Sequence, residues 1–326
     1  MLTLMKIFVM TVDYVSKFVQ TGRSQLSKAG VIGFGALNLD KIYLVDKIPS
    51  PDQEGFVKDV KTFPGGSAAN TVVGLSRLGI KTGYLGKVGK DEEGKILLNN
   101  LISEKVETSG VIVAEGRSGT ALIFVDESGN RAILVDPGVN DTIRFKEINL
   151  DLVEKFKMLH LTSFICKISD ESFNSQKKLV KEFDFVSFDP GLPYAEKGLK
   201  SLEPILKHTT IFLPSKQELE IIFSTNYEEA ADLCIQMGIQ IVAVKMGERG
   251  CWIKTSEDEF LIKPFNVKVI DTTGAGDAFN AGFIYGFLKN KEVEKCGRLG
   301  NYVASLCIQK IGARDGLPNK INSKYL

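Results

Sequence analysis

The spacing of hydrophobic residues divides this chain into regions of two kinds. From about residue 150 onward, short apolar runs such as FKMLHLTSF and IQIVAVKMG, which predict buried strands, alternate with stretches at helical spacing such as KQELEIIF. A regular alternation of strands and helices is typical of a mostly parallel sheet with helices on both faces. The pattern therefore predicts an α/β fold for the greater part of the chain.

Two other regions, about 41–64 and 117–136, carry shorter alternating runs broken by turn residues, for example ESGN in the second region. These runs predict strands that do not belong to the parallel sheet. We expect the two regions to pair into a small β-sheet beside the main one, in the position of a lid. Between them, SAANTVVGLSRLG predicts a helix that begins near Ser67 and ends at Gly79.

The first thirty residues fit this pattern poorly. Their weakly apolar run is interrupted by Asp13 and Lys17, is too short to span a bilayer and lacks the layout of a signal peptide. We interpret residues 1–30 as an N-terminal extension, either a helix or the product of an overlong translation start, and assign it no function. The domain itself is predicted to occupy residues 31–326.

Composition excludes several classes of function. With 41 Lys and Arg against 40 Asp and Glu, the net charge of +1 gives no basic excess for binding nucleic acid. Five cysteines without a C-x-x-C pair indicate reduced thiols and a cytoplasmic protein, and two distant histidines argue against a histidine-based zinc site. At 44% hydrophobic and 25% charged residues, the chain has the balance of a soluble globular protein that binds no membrane.

The sequence DTTGAGDAFNAGF at 271–283 marks the most informative junction in the chain. FNVKVI (265–270) before it predicts a strand, and AFNAGFIYGFL after it predicts an apolar helix. Gly274, Ala275 and Gly276 then lie where a helix start exposes unpaired N–H groups and the positive end of its dipole. Such a junction is suited to an anion, phosphate above all.

Asp277 follows this cradle directly. Because a carboxylate repels phosphate, its position favours another role, in which it takes the proton from a hydroxyl that attacks the phosphate. The alternative is that Asp277 merely stabilises the helix start, where acids are common. The residues of this motif alone leave both interpretations open.

A second stretch, GGSAANTVVGLSRLGIKTGYLGKVGKDEEG (65–94), accompanies the first. Together the two resemble the paired signatures of the ribokinase-like, or phosphofructokinase-B, carbohydrate kinases, and the resemblance covers about 31–320. It implies a Rossmann-like core with a small β lid. It also implies a kinase that uses ATP and Mg²⁺ to phosphorylate a hydroxyl of a sugar or a nucleoside.

The resemblance implies site roles position by position. The matching residues are the base Asp277 with its anion hole Gly274, Ala275 and Gly276, the substrate residues Asp40, Gly65, Gly66 and Asn70, the nucleotide residues Gly247, Gly250 and Asn301, and the potassium-linked pair Asp271 and Thr273. A carboxylate and an amide suit vicinal hydroxyls, because each pairs with two groups. Ordinary turns and helix starts are the alternative explanation for most of these positions.

The chain departs from the family in two places. The N-x-x-E motif that organises magnesium is Ser215-Lys216-Gln217-Glu218 here, so that Glu218 remains and the amide is lost. Ribokinases usually show GGKGAN, whereas this chain has GGSAAN with Ser67 at the lysine position. The first change bears on the metal, and the second weakens an assignment to ribokinase in the narrow sense.

A ribose-like sugar is the first expectation for the substrate, and a nucleoside is the alternative. A base would need an apolar slot, for which the candidates are Phe34, Phe56, Phe63 and Phe124. A non-catalytic sugar-binding regulator is a remote third possibility, because it would have lost the base or the glycine turn. The lid strands offer exposed edges, so we also expect a homodimer that pairs lid to lid.

Overall fold

The computed structural model describes residues 28–322 and residue 324. Within that part of the chain there are thirteen strands: β1 (Val31–Phe34), β2 (Asn38–Val45), β3 (Val57–Pro64), β4 (Thr82–Gly89), β5 (Glu107–Ala114), β6 (Gly119–Val125), β7 (Arg131–Asp136), β8 (Met158–Thr162), β9 (Phe185–Asp189), β10 (Ile211–Phe212), β11 (Ile241–Lys245), β12 (Cys251–Lys254) and β13 (Glu259–Ile262). The interpretation of residues 1–30 as an extension falls, for 1–27, outside the described residues.

The same described part contains ten α-helices. They are α1 (Ser67–Arg77), α2 (Glu92–Ser103), α3 (Leu150–Val153), α4 (Glu171–Leu179), α5 (Gly191–Ala195), α6 (Gly198–Leu206), α7 (Lys216–Phe223), α8 (Tyr227–Gln236), α9 (Ala275–Leu288) and α10 (Val293–Cys307).

Nine of the described strands form one large sheet in the order β13-β12-β11-β10-β9-β8-β1-β4-β5. From β11 to β5 all neighbours run parallel, and only β12 and β13 are antiparallel additions at one edge. The central strands β1, β4 and β8 are buried along their whole length, as expected of a sheet covered on both faces. The predicted α/β fold is confirmed.

The two regions predicted to form a lid do pair with each other. They give a separate four-stranded sheet in the order β3-β2-β6-β7, in which β2 and β6 are parallel and the outer pairs antiparallel. β2 follows β1 after three residues, so the small sheet starts at the carboxyl end of the strand at the middle of the large sheet. This connection places Asp40, in β2, over that edge.

Helix α9 is held on two of its faces. Phe279, Phe283 and Ile284 are buried against Val31 and Ile241 of the large sheet. On another face, Thr71 of α1 donates to the carbonyl oxygen of Asp277 at 3.3 Å. Packing and this hydrogen bond therefore help to hold the start of α9 in place.

The strand predicted at 265–270 is wrong. Those residues run without ladder pairing, and the N–H of Ile270 donates to the carbonyl of Ile308 at 2.8 Å. The alternation of FNVKVI satisfies a strand pattern, but the sheet already ends at β13, and Val269 and Ile270 are each 55% exposed. An edge position in a sheet needs a partner as well as a pattern.

Other expectations concern the chemistry of the side chains. All five cysteines are unpaired thiols, four of them buried, as expected for reduced cysteines. His160 lies inside the buried β8, where its Nδ1 lies 2.9 Å from Ser187 Oγ. Among the helices that the structure describes, none has the length and apolar character needed to cross a membrane.

Candidate active site

The start of α9 is a tight turn built on Gly274. Its φ of 74° is in the left-handed region, and a Cβ there would lie 2.5 Å from Ala313 Cβ, so a larger residue would clash with this neighbour. The turn brings the chain into α9 with Asp277 in the first helical turn. The glycine in the motif therefore has a steric cause, whatever ligand is bound.

The predicted anion hole consists of the amides at 274–277. The N–H of Ala275 donates to the carbonyl of Thr272 at 3.2 Å and is engaged within the turn. The N–H groups of Gly276 and Asp277 have no acceptor among the residues that the structure describes. Two adjacent amides thus remain available to an anion at the positive end of the helix dipole.

Asp277 is a buried carboxylate in a polar setting. It is 9% exposed, and its Oδ2 accepts from Asn70 Nδ2 at 2.8 Å. Burial raises the pKa of Asp277 to about 7 and the charge of Asp189 adds to the rise, while the bond from Asn70 and the charge of Lys245 act against it. A pKa near 7 suits a carboxylate that accepts a proton at neutral pH.

A second charged group lies at the carboxyl ends of β9 and β11. Asp189 Oδ2 accepts from Lys245 Nζ at 2.5 Å and from Asn280 Nδ2 at 2.6 Å. Lys245 Nζ also approaches the helix start, where a Cβ on Gly276 would lie 3.4 Å away. Burial alone would lower the pKa of Lys245, but Asp189 and Glu218 outweigh it and raise the pKa, so the ammonium stays charged.

Glu218 lies at the start of α7, near this group. Its Oε2 accepts from the backbone N–H of Ser215 at 2.7 Å, and Ser215 Oγ accepts in return from the Glu218 N–H at 3.3 Å. This reciprocal pair is a capping box. Burial raises the pKa of Glu218, and the charge of Asp189 raises it further.

The donor set around Glu218 fits a magnesium ion that arrives with a nucleotide. Among the described residues no three His, Cys, Asp or Glu side chains lie close enough to form a metal cage. Mg²⁺ is usually bound by one or two carboxylates together with substrate phosphates and waters, so it requires no such cage. Oε1 of Glu218 accepts no hydrogen bond from the described chain and is the oxygen that would face this ion.

The predicted substrate residues lie together on the side of the small sheet. Gly65 approaches Asp40 so closely that a Cβ would lie 2.4 Å from Asp40 Oδ2, and the Gly65 N–H donates to the Asn38 carbonyl at 2.8 Å. Gly66 is the N-cap of α1, the helix that carries Asn70. Burial raises the pKa of Asp40 to about 6, against the lowering effect of two arginines.

A cleft of about 240 Å³ opens beside Asp40, between the small sheet and the segments 270–273 and 311–313. Its lining is mainly apolar, with Asp40, Arg131 and Asp271 as its charged members. A larger depression of about 430 Å³ includes Thr82 at the amino end of β4. That is the opposite edge of the sheet, whereas ligands of α/β sheets bind at the carboxyl ends.

The apolar candidates for a base-binding slot separate clearly. Phe63 lines the cleft. Phe34 is fully buried in the core, Phe56 is 69% exposed, and Phe124 stacks on Tyr43 with ring centroids 5.3 Å apart. Of these four phenylalanines, only Phe63 therefore borders this cleft.

Asp271 and Thr273 form a closed turn before α9. Asp271 Oδ1 accepts from the N–H and the hydroxyl of Thr273 at 2.9 and 2.7 Å, and Oδ2 accepts from the Gly312 N–H at 2.8 Å. Although burial opposes it, these bonds lower the pKa of Asp271. The carboxylate keeps its charge and one of about four acceptor positions for a cation.

The predicted nucleotide residues meet at the end of β13. Gly247 and Gly250 enclose a single 3-10 turn after β11, and a Cβ on Gly250 would lie 2.1 Å from the Ile262 carbonyl oxygen. Asn301, in α10, donates from Nδ2 to the carbonyls of Ile262 and Lys263 at 3.1 and 3.2 Å. Gly250 and Asn301 therefore both lie against the backbone at residues 262–263.

Three residues of this site did not come out of the sequence analysis. Lys245 had a local signal, a charged residue closing an apolar strand directly before the glycine turn. Asn280 and Arg314 had none, because their partners are remote in sequence: Asp189 for the first, and Asn70 for the second, through a bond of 2.7 Å. The sequence motifs contain Asn70 and Asp277 of this network, but they do not indicate the remote residues that hydrogen-bond to it.

Comparison with known proteins agrees with this geometry. The pattern of the pfkB family carbohydrate kinases matches residues 28–320. An uncharacterized sugar kinase of Archaeoglobus fulgidus is 64% identical over 250 residues, which cover 77% of this chain and 100% of that protein. An ATP-dependent ribose-1-phosphate kinase of Halopiger xanaduensis is 31% identical over 285 residues, 87% of this chain and 93% of that protein.

The fold has solved counterparts. The crystal structure of a ribokinase from Thermotoga maritima matches this structure with a TM-score of 0.80 at 25% identity, covering 89% of this chain and 96% of that one. The large sheet with its helices and the separate small sheet are therefore a ribokinase-like fold. The chain belongs to the pfkB family of carbohydrate kinases, phosphotransferases that act on an alcohol group.

Proposed function

We propose that this sugar kinase transfers the γ-phosphate of ATP to a hydroxyl of a small, ribose-like sugar, with Asp277 as the general base. The observation that carries the proposal is the buried Asp277 carboxylate, whose pKa is raised to about 7, beside two unpaired amides at the start of a helix. A base is most effective when its pKa lies near the working pH. The names of two relatives, a ribose-1-phosphate kinase and a ribokinase, favour ATP as donor and a ribose-type acceptor.

In the proposed reaction the residues at the start of α9 have different chemical roles. Asp277 takes the proton of the attacking hydroxyl as its oxygen bonds to the γ-phosphorus of ATP; the bond from that phosphorus to the bridging oxygen breaks, and ADP leaves with that oxygen and its electron pair. The amides of Gly276 and Asp277 donate to the oxygens of the transferred phosphoryl group, and the turn at Gly274 and Ala275 holds them in place. Lys245, close to Gly276, supplies a positive charge on the same side.

Substrate binding is assigned to the small-sheet side. Asp40 accepts from hydroxyls of the sugar, with Gly65 and Gly66 shaping the wall next to it and Asn70 linking this wall to the base. The small sheet then acts as a lid of the single domain proposed for residues 31–326. Closure would exclude water and so limit hydrolysis of ATP.

The nucleotide is assigned to the other side of α9. Gly247, Gly250 and Asn301 shape the backbone at the end of β13, where the adenosine part would lie. A bound Mg²⁺ would supply positive charge against the phosphates of the nucleotide. Glu218 would orient waters of that ion. Because Ser215 stands where the family has an amide, we expect weaker metal binding or a different preference among metals.

Potassium at Asp271 and Thr273 is a further part of the proposal. The charge of Asp271 is held beside the anion-binding turn by its bonds to Thr273 and Gly312. Backbone carbonyls of the turn would complete the site. Replacing K⁺ by Na⁺ should lower turnover of the wild-type protein and leave Asp271→Asn unaffected; equal rates in both salts would remove the ion from the mechanism.

A nucleoside is the second candidate for the substrate, and one observation favours it. The cleft beside Asp40 is lined by apolar residues, namely Ile42, Phe63, Pro64, Ile123, Val125, Ile270 and Ile311. A nucleobase needs such a surface, whereas a free sugar does not. Phe63→Ala would therefore weaken phosphorylation of nucleosides far more than that of pentoses.

The deciding experiment is ATP turnover on a panel of pentoses, hexoses and nucleosides. We expect one class to be phosphorylated and Asp277→Asn to reduce kcat by at least about 10²-fold, the typical contribution of acid–base catalysis. Near-normal turnover by Asp277→Asn would refute the base. Binding without phosphorylation of any compound would leave a regulator that only binds sugar.

A further inference from the structure

Arg314 is a buried arginine at the centre of this network. It is 6% exposed, and its guanidinium reaches three separate parts of the chain. Nε donates to Asn70 Oδ1 at 2.7 Å, Nη2 donates to the Gly65 carbonyl at 3.2 Å, and Nη1 donates to Asn100 Oδ1. One side chain thus connects the loop before α1, α1 itself and α2.

The bond from Arg314 decides which way the amide of Asn70 faces. A guanidinium only donates, so the atom of Asn70 that faces it has to be the oxygen. The nitrogen then faces Asp277, to which it donates at 2.8 Å. In this orientation the amide favours an ionised carboxylate at Asp277, because an N–H donor pairs with an acceptor.

A reversed amide would have the opposite effect. With its oxygen towards Asp277, Asn70 would accept a hydrogen bond from the protonated acid and so stabilise the form that is unable to act as a base. Arg314 is the described partner that makes this reversal costly, since it would face the amide nitrogen with its own N–H groups.

We propose that Arg314 is a positioning residue of the phosphotransfer site: it locks the Asn70 amide in the orientation that keeps Asp277 ready to accept a proton, and it anchors the Gly65 loop in the same step. The proposal rests on the proposed function in taking Asp277 as the base. In this proposal Arg314 acts through its bonds to Asn70 and Gly65 and is assigned no contact with either substrate.

The charges around Asp277 agree with this role. Asp189 raises the pKa of Asp277 and Lys245 lowers it. Asp277 in turn acts on Arg314, on Tyr84 of β4 and on Cys307 of α10, and the raised pKa values of the last two leave them uncharged at neutral pH. Burial lowers the pKa of Arg314 to about 10, which leaves the guanidinium charged at neutral pH. Its charge also lowers the pKa of Asp40 against burial.

A matched control is available in Arg77. This arginine is also partly buried, and it donates to the carbonyls of Arg314 and Leu317 at 2.6 and 3.2 Å and pairs with Glu104. It holds the same segment without contacting Asn70. Arg77→Met therefore measures how a less tightly held segment 314–317 by itself affects the pKa of Asp277.

The test is titration of the Asp277 carboxyl carbon by NMR in the full-length protein, with Asp277→Asn identifying the signal. We expect the pKa to rise by at least about 0.5 unit in Asn70→Ala and in Arg314→Met. It should rise no further when Arg314→Lys, which keeps the positive charge, is added to Asn70→Ala. Arg314→Lys keeps a charge but lacks the planar fork, so it should also raise the pKa. Arg77→Met should leave it unchanged.

Kinetics supply an independent readout. In Arg314→Lys, a rise of this size in the pKa of Asp277 should lower kcat/KM for the acceptor at least about threefold at pH 6.5 and much less at pH 8.5, with the KM for ATP unchanged. If Arg314→Met does not fold, Arg314→Lys and Asn70→Ala carry both measurements.

Three results would overturn the role of Arg314. These are an unchanged Asp277 titration in Arg314→Lys, an equal shift in Arg77→Met, or additive shifts in the Asn70→Ala, Arg314→Lys double variant. A wild-type carboxyl that titrates near 7 while Asp277→Asn remains active would instead refute the base. The two failures are therefore distinguishable.

Discussion

At the scale of single residues, the behaviour of this site depends on how Asp277 is surrounded. Burial disfavours its charge, and Asn70 and Lys245 favour it, with the result that the pKa lies near 7. Asp40 is a second carboxyl with a raised pKa, about 6, in the same region. The two acids differ in their partners, which makes their contributions separable by mutation.

The pH dependence of the reaction follows from this environment. Since the base acts only when ionised, kcat/KM should rise about tenfold per pH unit below pH 7 and become level above it. Asp40→Asn, measured as the control, should lower the rate without moving this limb. A limb near pH 4 in the initial-rate profile would contradict a raised pKa at Asp277.

Stability should carry the same signature with a definite sign. Between about pH 4 and 7 the unfolded chain has lost the proton of Asp277 while the folded chain still holds it, so this group lowers stability as pH rises. Asp277→Asn removes the effect. The unfolding free energy of Asp277→Asn, taken relative to that of the wild type, should therefore increase between pH 4.5 and pH 8 by at least about 1 kcal/mol. This corresponds to a relative increase in Tm of roughly 2 °C.

The half-buried Asp46 gives the opposite sign in a lower pH range. The N–H of Phe56 lowers its pKa below the ordinary 3.8, so Asp46→Asn should lose stability relative to wild type as the pH rises from about 3 to about 5 and change little above that. Thermal melts of Asp277→Asn from pH 4.5 to pH 8 and of Asp46→Asn below pH 5 test the two signs. A difference for Asp277→Asn that is constant with pH would show that the folded carboxyl titrates normally.

Lys245 is the residue whose charge we expect to matter most after the base. In Lys245→Met the buried Asp189 and Glu218 lose their counter-ion, and the transferred phosphoryl group loses a neighbouring positive charge. We expect kcat to fall about 10²-fold, as on removal of one stabilising donor. Lys254→Met, which removes a lysine paired at the surface with Asp232, is the control and should keep full activity.

At the scale of elements, the start of α9 combines a conformational and a steric demand at Gly274. Gly274→Ala would place a Cβ against Ala313 and would also impose a positive φ on alanine. The positive φ alone costs about 1–2 kcal/mol. We expect a larger total loss of unfolding free energy, together with loss of turnover.

Gly79 separates the two demands. Its φ of 80° is close to that of Gly274, but a Cβ there would meet no atom within 4 Å. Gly79→Ala should therefore cost only the conformational part in chemical denaturation and should keep its activity. Equal losses in both variants would mean that Ala313 yields to the added methyl group.

At the scale of the whole molecule, the small sheet presents apolar side chains to solvent. Val57, Val60 and Leu134 lie on one face of its edge strands β3 and β7, the face opposite the cleft, and are between 47% and 62% exposed. Phe56, just before β3, is 69% exposed. Large exposed apolar patches mark interaction sites. We propose that a second copy of the chain covers this face, as expected from the exposed edges of the lid.

A charge substitution tests this assembly. Leu134→Lys should convert the dimer to a monomer in light scattering after size-exclusion chromatography, because a lysine would be buried without a partner. Leu261→Lys, at an equally exposed position on the edge strand β13, should leave the dimer intact. A monomeric wild-type protein at micromolar concentration would refute the assembly.

Much of this molecule was determined by local sequence, because hydrophobic spacing and turn residues act over a few neighbours. The α/β alternation, the regions of the small sheet and the glycine turn before Asp277 are all of this kind. Connections between distant positions were not determined in this way. The bond from Arg314 to Asn70 spans 244 residues, and nothing near either residue indicates the other.

Only the tertiary structure determined whether a segment with the pattern of a strand has a neighbouring strand to pair with. FNVKVI has the alternation of a strand, yet no neighbouring strand pairs with it. The strands of the small sheet are no more regular in sequence, but β2 and β6 pair although residues 46–118 separate them. The same holds for the raised pKa of Asp277, which arises from burial by elements far apart in the chain. Sequence specified which groups are present, and packing specified their proton affinity and their neighbours.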